Sequence, residues 1–258
     1  MPVSTGALAG GDAKCARAVY GQPTLHMPTA LITGSNRGLG LEWARQLARE
    51  EWQVHATCRV PDQAEELRSL AAHAPRVTVH PLDVTSPQSI CAVAQQLDGE
   101  PIDVLINNAG VYFEKYAEPR LGSLLYEDWV QTFEVNTLGA IRLTEAFVEH
   151  VARSERRLVI AITSHMGSIS DIESPGSYYY RSSKAALNAA MKGVALALWP
   201  RGVGVLLLHP GWVRTRMGGP NAPILPATSV RGMRSLVEHF ALSDSGSFLR
   251  YDGTVMPW

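Results

Sequence analysis

The chain has little cysteine: three residues, Cys15, Cys58 and Cys91, among 258. Their spacing forms neither an even disulfide framework nor a thiolate metal set, and such a chain is expected in a reducing compartment. Long apolar runs are also missing. None approaches the roughly 20 residues that a membrane-crossing helix needs, and residues 1–26 lack the extended apolar core of a secretory signal. A cytoplasmic location, with no membrane partner, is the expectation. Charge of one sign is absent too: 23 Lys and Arg stand against 24 Asp and Glu. Without a basic excess there is no field to draw in nucleic acid. No grouping of His, Cys, Asp and Glu has metal-ligand spacing, so no metal is expected.

What is present is an ordinary globular balance, 46% hydrophobic and 18% charged, over a length suited to one α/β domain. Residues 1–26 are rich in Gly, Ala and small polar types without a period and read as a loose tail. At Met27 the pattern changes abruptly, and residues 27–258 read as one domain. Strand-like runs at 30–32, 53–57, 76–82, 102–106, 157–163, 203–208 and 247–250 alternate with helical periodicity at 39–50, 62–72, 86–97, 180–198 and 229–241. One or two further helices fall within 126–151, and Ser86 or Thr85 is a candidate cap for the third helix. Runs such as Leu158-Val159-Ile160-Ala161-Ile162 are apolar without alternation, as strands covered on both faces are. The expectation is a single-domain, Rossmann-type, doubly wound parallel sheet of about seven strands with helices on both faces. Ligands in that architecture bind beyond the carboxyl ends of the strands.

Thr33-Gly34-Ser35-Asn36-Arg37-Gly38-Leu39-Gly40 lies between the first strand and the first helix. Glycines allow a tight turn and bring backbone N–H groups against a pyrophosphate, while the helix N-terminus adds partial positive charge. The spacing is TGxxxGxG rather than GxGxxG, and a glycine-rich turn without a ligand is the competing reading. Dinucleotide sites tell their coenzymes apart at the end of the second strand, where an acid holds the ribose 2′-hydroxyl of NAD. Here that strand ends Ala56-Thr57-Cys58-Arg59, with no acid before Asp62. Arg59 and Arg37 suit a 2′-phosphate, so NADP(H) is favoured over NAD(H). Two solvated arginines would be the alternative.

Of the three tyrosines in YYYRSSK, Tyr180 alone has a basic residue one helical turn later, Lys184. A nearby ammonium stabilises phenolate and is expected to lower the Tyr180 pKa toward working pH, which makes it a proton donor or acceptor. Ser164 ends the fifth strand, where its hydroxyl would hydrogen-bond a reacting carbonyl oxygen together with Tyr180. Ser168 is the competing serine. Asn136 interrupts an apolar helical stretch where Asn is a poor choice, which suggests a kink or a polar task.

With these residues in view, the chain resembles the short-chain dehydrogenase/reductase family over about residues 28–258. TGSNRGLG matches the family's glycine loop, and Asp83-Val84 its adenine-contacting acid. Asn107-Asn108-Ala109-Gly110 matches the NNAG signature. Asn136, Ser164, Tyr180 and Lys184 match the catalytic tetrad. His209-Pro210-Gly211-Trp212-Val213-Arg214-Thr215 is similar to the motif that closes over the nicotinamide, with Pro210, Gly211, Val213 and Thr215 as its cofactor contacts. A narrower likeness is to the C-factor and Sniffer-like carbonyl reductases. Thr163 departs from the pattern, standing where a first Ser is common.

The resemblance implies hydride transfer between nicotinamide and a carbonyl or alcohol. Tyr180 would act as general acid or base and Ser164 would steady the oxygen. Lys184 would tune Tyr180 and hold the ribose, and Asn136 would hold a water linked to Lys184. The loop 214–226, with adjacent glycines and three prolines, is expected to be either a lid over the substrate mouth or an ordered surface connection. Met217, Ile224 and Leu225, with Tyr112, Phe113 and Trp212, would favour a hydrophobic substrate. A homodimer or homotetramer is expected from the resemblance. A cofactor-binding signalling or regulatory protein with little turnover is the rival reading.

Overall fold

The computed structural model describes residues 27–116 and 120–258; the tail inferred over 1–26 lies outside them. The strands are β1 (Thr29–Ile32), β2 (Gln53–Cys58), β3 (Val77–Pro81), β4 (Val104–Asn107), β5 (Leu158–Ile162), β6 (Gly204–His209) and β7 (Ser247–Arg250). They form one seven-stranded sheet in the order β3-β2-β1-β4-β5-β6-β7, with every pair parallel. Every residue of β1, β4, β5 and β6 is buried, which is why their sequences lack alternation.

Helices cover both faces. On one side α1 (Gly38–Arg49), α2 (Glu65–His73) and α7 (Pro226–Glu238) bury Leu41, Trp43, Leu67, Met233 and Val237 against Ile32, Val54 and Ile106. On the other, α3 (Pro87–Gln96), α5 (Gly139–Ala152) and α6 (Tyr178–Leu198) bury Ile90, Leu143, Phe147, Leu187 and Met191 against Leu31, Leu105 and Val159. Successive residues of β1, Leu31 and Ile32, thus serve opposite cores, as the period of a strand requires. The chain turns from building outward on one side to building outward on the other between β1 and β4, and the crevice there is the expected ligand site.

Several boundaries differ from the sequence reading. Pro61–Gln63 forms a 3-10 turn, and α2 begins only at Glu65. The last helix starts at Pro226 because the fixed φ of proline suits a first helical turn. Ser86 is the cap of α3, its hydroxyl accepting from Ser89 N–H at 3.2 Å. The 126–151 stretch is two helices, α4 (Tyr126–Phe133) and α5, joined by a π-helical turn at Glu134–Leu138 that contains Asn136.

Candidate active site

The switch point opens into a cavity of about 710 Å³ lined by the glycine turn, Arg59, Asp83, Val84, the Asn108–Gly110 segment, Tyr180 and Lys184. Gly34 has φ +68°, a conformation open to glycine at little cost. A Cβ on Gly40 would lie 2.3 Å from the Gly34 carbonyl oxygen, so the helix start can press onto the turn only without a side chain. The cap residue of α1, Arg37, makes no side-chain capping bond, and the first turn of α1 carries no acid. Its leading N–H groups therefore suit an anion. A dinucleotide pyrophosphate fits this cradle.

Thr33, which the sequence did not single out as a polar anchor, braces the turn. Its hydroxyl oxygen accepts the N–H groups of Asn108 and Ala109, each at 3.0 Å. Asn108 Nδ2 donates to the Thr33 carbonyl at 2.8 Å. Asn108 thus shapes the loop as well as lining the cavity. Ser35 is fully buried and donates to the Ile32 carbonyl at 3.0 Å, so its side chain faces the fold. Asn36, Gly38 and Leu39 border the cavity. Asp83 accepts the Thr85 hydroxyl and N–H at 2.7 and 2.9 Å, which fixes the carboxylate at the cavity wall. Arg37 and Arg59 are both exposed along the cavity.

Tyr180 and Lys184 line the cavity, with the buried side chains of Ser164 and Asn136 close by. Ser164 Oγ accepts the Met166 N–H at 3.1 Å and is near enough to the Tyr180 hydroxyl to favour its ionised form. Ser168, the competing serine, is fully buried, with its hydroxyl on Ser170 Oγ and the Trp258 carbonyl, both at 3.1 Å. Asn136 Oδ1 accepts Val111 N–H at 2.8 Å, while Nδ2 donates to the Val111 carbonyl at 2.9 Å and Ser183 Oγ at 3.0 Å. A Cβ on Gly110 would sit 3.3 Å from Asn136 Oδ1 and 3.8 Å from Lys184 Nζ. Those two groups therefore border one small space. The π-helical turn accounts for Asn136: it widens the helix and directs this side chain inward, as such turns often do at functional sites.

One expectation is corrected. Lys184 Nζ donates to the Ile162 carbonyl at 2.9 Å and sits 5.8 Å from the centre of the Tyr180 ring. Burial, not the ammonium, dominates Tyr180: its pKa is pushed up to about 12, with the nearby Ser164 hydroxyl acting the other way. Burial also pulls Lys184 down to about 8. His165 lies beside His209, their rings 4.9 Å apart, and joins none of the four groups.

The 214–226 loop is closed at its base by pairing of Val213 with Ile224. Thr215 Oγ1 accepts Gly218 N–H at 3.1 Å. Gly211 has φ +81°, and a Cβ there would strike Ile224, so Gly211 and Ile224 pack under the loop rather than into the cavity. Pro210, Thr215, Met217 and Leu225 do line it. The Met217 sulfur lies 4.0 Å from the Tyr180 hydroxyl. The Tyr112 ring packs against that of Tyr180, tilted by 32° with centres 4.5 Å apart. Trp129 of α4 stacks at 5.2 Å on Tyr179 and donates to Ser182 Oγ at 2.9 Å.

This arrangement has known counterparts. Residues 28–223 match the family described as short chain dehydrogenase. The chain belongs to the short-chain dehydrogenase family. It is an oxidoreductase family, and this member is similar to solved carbonyl reductases. An NADPH-bound carbonyl reductase from chicken fatty liver superposes with a TM-score of 0.83 at 33% identity, covering 91% of this chain and 100% of that one. The carbonyl reductase Sniffer of D. melanogaster gives 0.84 at 32% identity, covering 90% and 100%. The C-signal protein of Myxococcus xanthus is 44% identical over 158 residues, 61% of this short-chain dehydrogenase and 93% of the relative. Among the described residues no helix is long and apolar enough to cross a membrane.

Proposed function

We propose that this short-chain dehydrogenase is an NADP(H)-dependent reductase of small, apolar carbonyl compounds, with Tyr180 as the proton donor. The observation that carries the reading is the placing of Tyr180 and Lys184 together in the wall of the glycine-turn cavity, with the Ser164 hydroxyl near the phenol. When bound, the reduced nicotinamide supplies a hydride to the carbonyl carbon. The uncapped start of α1 and the Gly34–Gly40 cradle would hold the pyrophosphate, and Arg37 and Arg59 the 2′-phosphate.

The side chains divide the remaining work. Ser164 Oγ accepts Met166 N–H, which leaves its own proton available for donation to the substrate oxygen. That oxygen gains negative charge as the C=O bond opens, and donors placed in advance favour it. Tyr180 then gives it a proton. Burial keeps this phenol protonated at neutral pH, so it enters the reaction with a proton to give. Lys184, bordering the same space, steadies the phenolate that remains. Met217 and Leu225 offer apolar walls and support a hydrophobic substrate. Residues 27–258 would act as one domain. Exposed Tyr126 and Val130 on α4 support the expected self-association as a homodimer or homotetramer. A monomeric mass by light scattering would contradict it.

The test is NADPH consumption with a panel of ketones, aldehydes and quinones. Turnover by the wild type that vanishes in Tyr180→Phe, with NADPH still bound, is expected. NADPH binding without turnover on any substrate would favour a signalling or regulatory role instead.

A further inference from the structure

We propose that Glu114 is a positioning residue for Tyr180, its carboxylate fixing the first turn of α6 and so the place of the phenol. The proposal rests on Tyr180 being the proton donor.

The first N–H groups of a helix have no partner within it and usually find one on the cap residue. α6 lacks that arrangement. Its cap residue, Ser177, is in the left-handed region (φ 52°, ψ 37°) and makes no side-chain capping bond. The Ser177 hydroxyl is instead 2.6 Å from that of Tyr112. The acceptor comes from a distant segment: Tyr180 N–H donates to Glu114 Oε2 at 2.8 Å. The N–H groups of Tyr178 and Tyr179 bear on the same carboxylate. Glu114 is 3% exposed, and a carboxylate so buried is costly unless its charge is met by donors. Burial raises its pKa, and those N–H groups together with Arg181 oppose the rise.

Glu114 belongs to a 3-10 turn, Phe113–Tyr116, whose surroundings grip the same tyrosine from other sides. Asn136 holds Val111 at both backbone polar groups. Tyr112 packs against the Tyr180 ring. Lys115 Nζ donates to the Arg216 carbonyl at 2.5 Å, next to Met217, which touches the phenol. Among these contacts Glu114 is the one made to the backbone of Tyr180 itself. Losing it frees the helix start without removing any group that meets substrate or coenzyme.

The experiment compares Glu114→Ala, Glu114→Asp and Glu114→Gln in the full chain, using NADPH and a carbonyl compound the wild type reduces. Each is assayed well below its own Tm, where a merely structural cap leaves kcat alone. Because ~1 Å of misplacement can cost about 100-fold, kcat should fall about tenfold or more in the Ala and Asp variants. Their NADPH Kd should stay at the wild-type value. Glu114→Gln keeps an acceptor oxygen at the right reach and should restore kcat. Amide exchange over 178–180 should quicken in the Ala and Asp variants and not in Gln. If the Ala variant does not fold, the Asp and Gln pair decides. An undisturbed kcat in Glu114→Asp, alongside an inactive Tyr180→Phe, would overturn this proposal alone. Turnover surviving in Tyr180→Phe would remove the acid–base reading and this proposal with it.

Discussion

The Lys184 ammonium donates to the Ile162 carbonyl while lying 5.8 Å from the Tyr180 ring centre. Two buried titratable groups thus stand side by side with pKa values moved toward their neutral forms, Lys184 down to about 8 and Tyr180 up to about 12. Between pH 8 and the ordinary lysine value of 10.5 the unfolded chain binds a proton that the folded chain has released. Stability from this group therefore rises with pH across that window. Tyr180 acts oppositely: above its ordinary value of 10 the folded chain keeps a proton that the unfolded chain loses, and its burial favours folding less as the phenol must ionise. Lys184→Met removes the buried charge. Without coenzyme, the variant should be the more stable at neutral pH, by on the order of 3 kcal/mol. Denaturant titrations should show that lead shrinking as pH rises from 8 to 10; a lead independent of pH would refute a charged, buried Lys184.

Coenzyme choice should depend on the two exposed arginines. A hydrogen bond to a charged group is worth roughly 1.5–3 kcal/mol, so Arg59→Ala should weaken NADPH binding by about tenfold or more. NADH binding should change little, and Arg37→Ala should act in the same direction. Fluorescence titration reads both, and a wild type that binds NADH the more tightly would contradict the assignment.

Gly40 and Gly193 make a contrasting pair. A Cβ on Gly40 meets the Gly34 carbonyl at 2.3 Å and Asn108 Nδ2 at 2.6 Å, whereas one on Gly193 meets nothing within 4 Å. Gly40→Ala should lower Tm and abolish tight NADPH binding. Gly193→Ala, inside α6, should raise stability by roughly 0.5–1 kcal/mol. Thermal melts with and without NADPH separate the two.

The two serines should behave as differently. Ser164→Ala removes the donor proposed to meet the reacting oxygen and should lower kcat by about 100-fold or more, with NADPH binding kept. Ser168→Ala breaks only the tie to Ser170 and Trp258 and should leave kcat within about twofold, since that hydroxyl meets no reacting atom. Equal losses in both variants would assign the oxygen-steadying role wrongly.

What the sequence made legible follows from how local each signal is. The strand-turn-helix at 29–49 and the Tyr180–Lys184 spacing are short-range patterns, and both occur where they were read. Asn136 announced itself as a polar residue in an apolar stretch, although the π-helical form of its turn did not. Glu114 gave no such signal, because YFEKY has no period and its partner lies 66 residues away. Thr33 looked like part of a glycine motif, yet its value is in bonding to Asn108 and Ala109 across two strands. The direction of the Tyr180 pKa shift is hidden from the sequence for a related reason: spacing shows that an amine is near, but desolvation depends on everything packed around both groups.

The π-helical turn at Glu134–Leu138 also makes residue count a determinant of this site. Deleting one residue there would let α4 and α5 run on as a regular helix. The wide turn absorbs the extra residue, so α4 and α5 would keep their faces and Trp129 its place on Tyr179. What would be lost is the inward turn of Asn136 and its hold on Val111, so a change touching no reactive group would undo the wall beside Lys184.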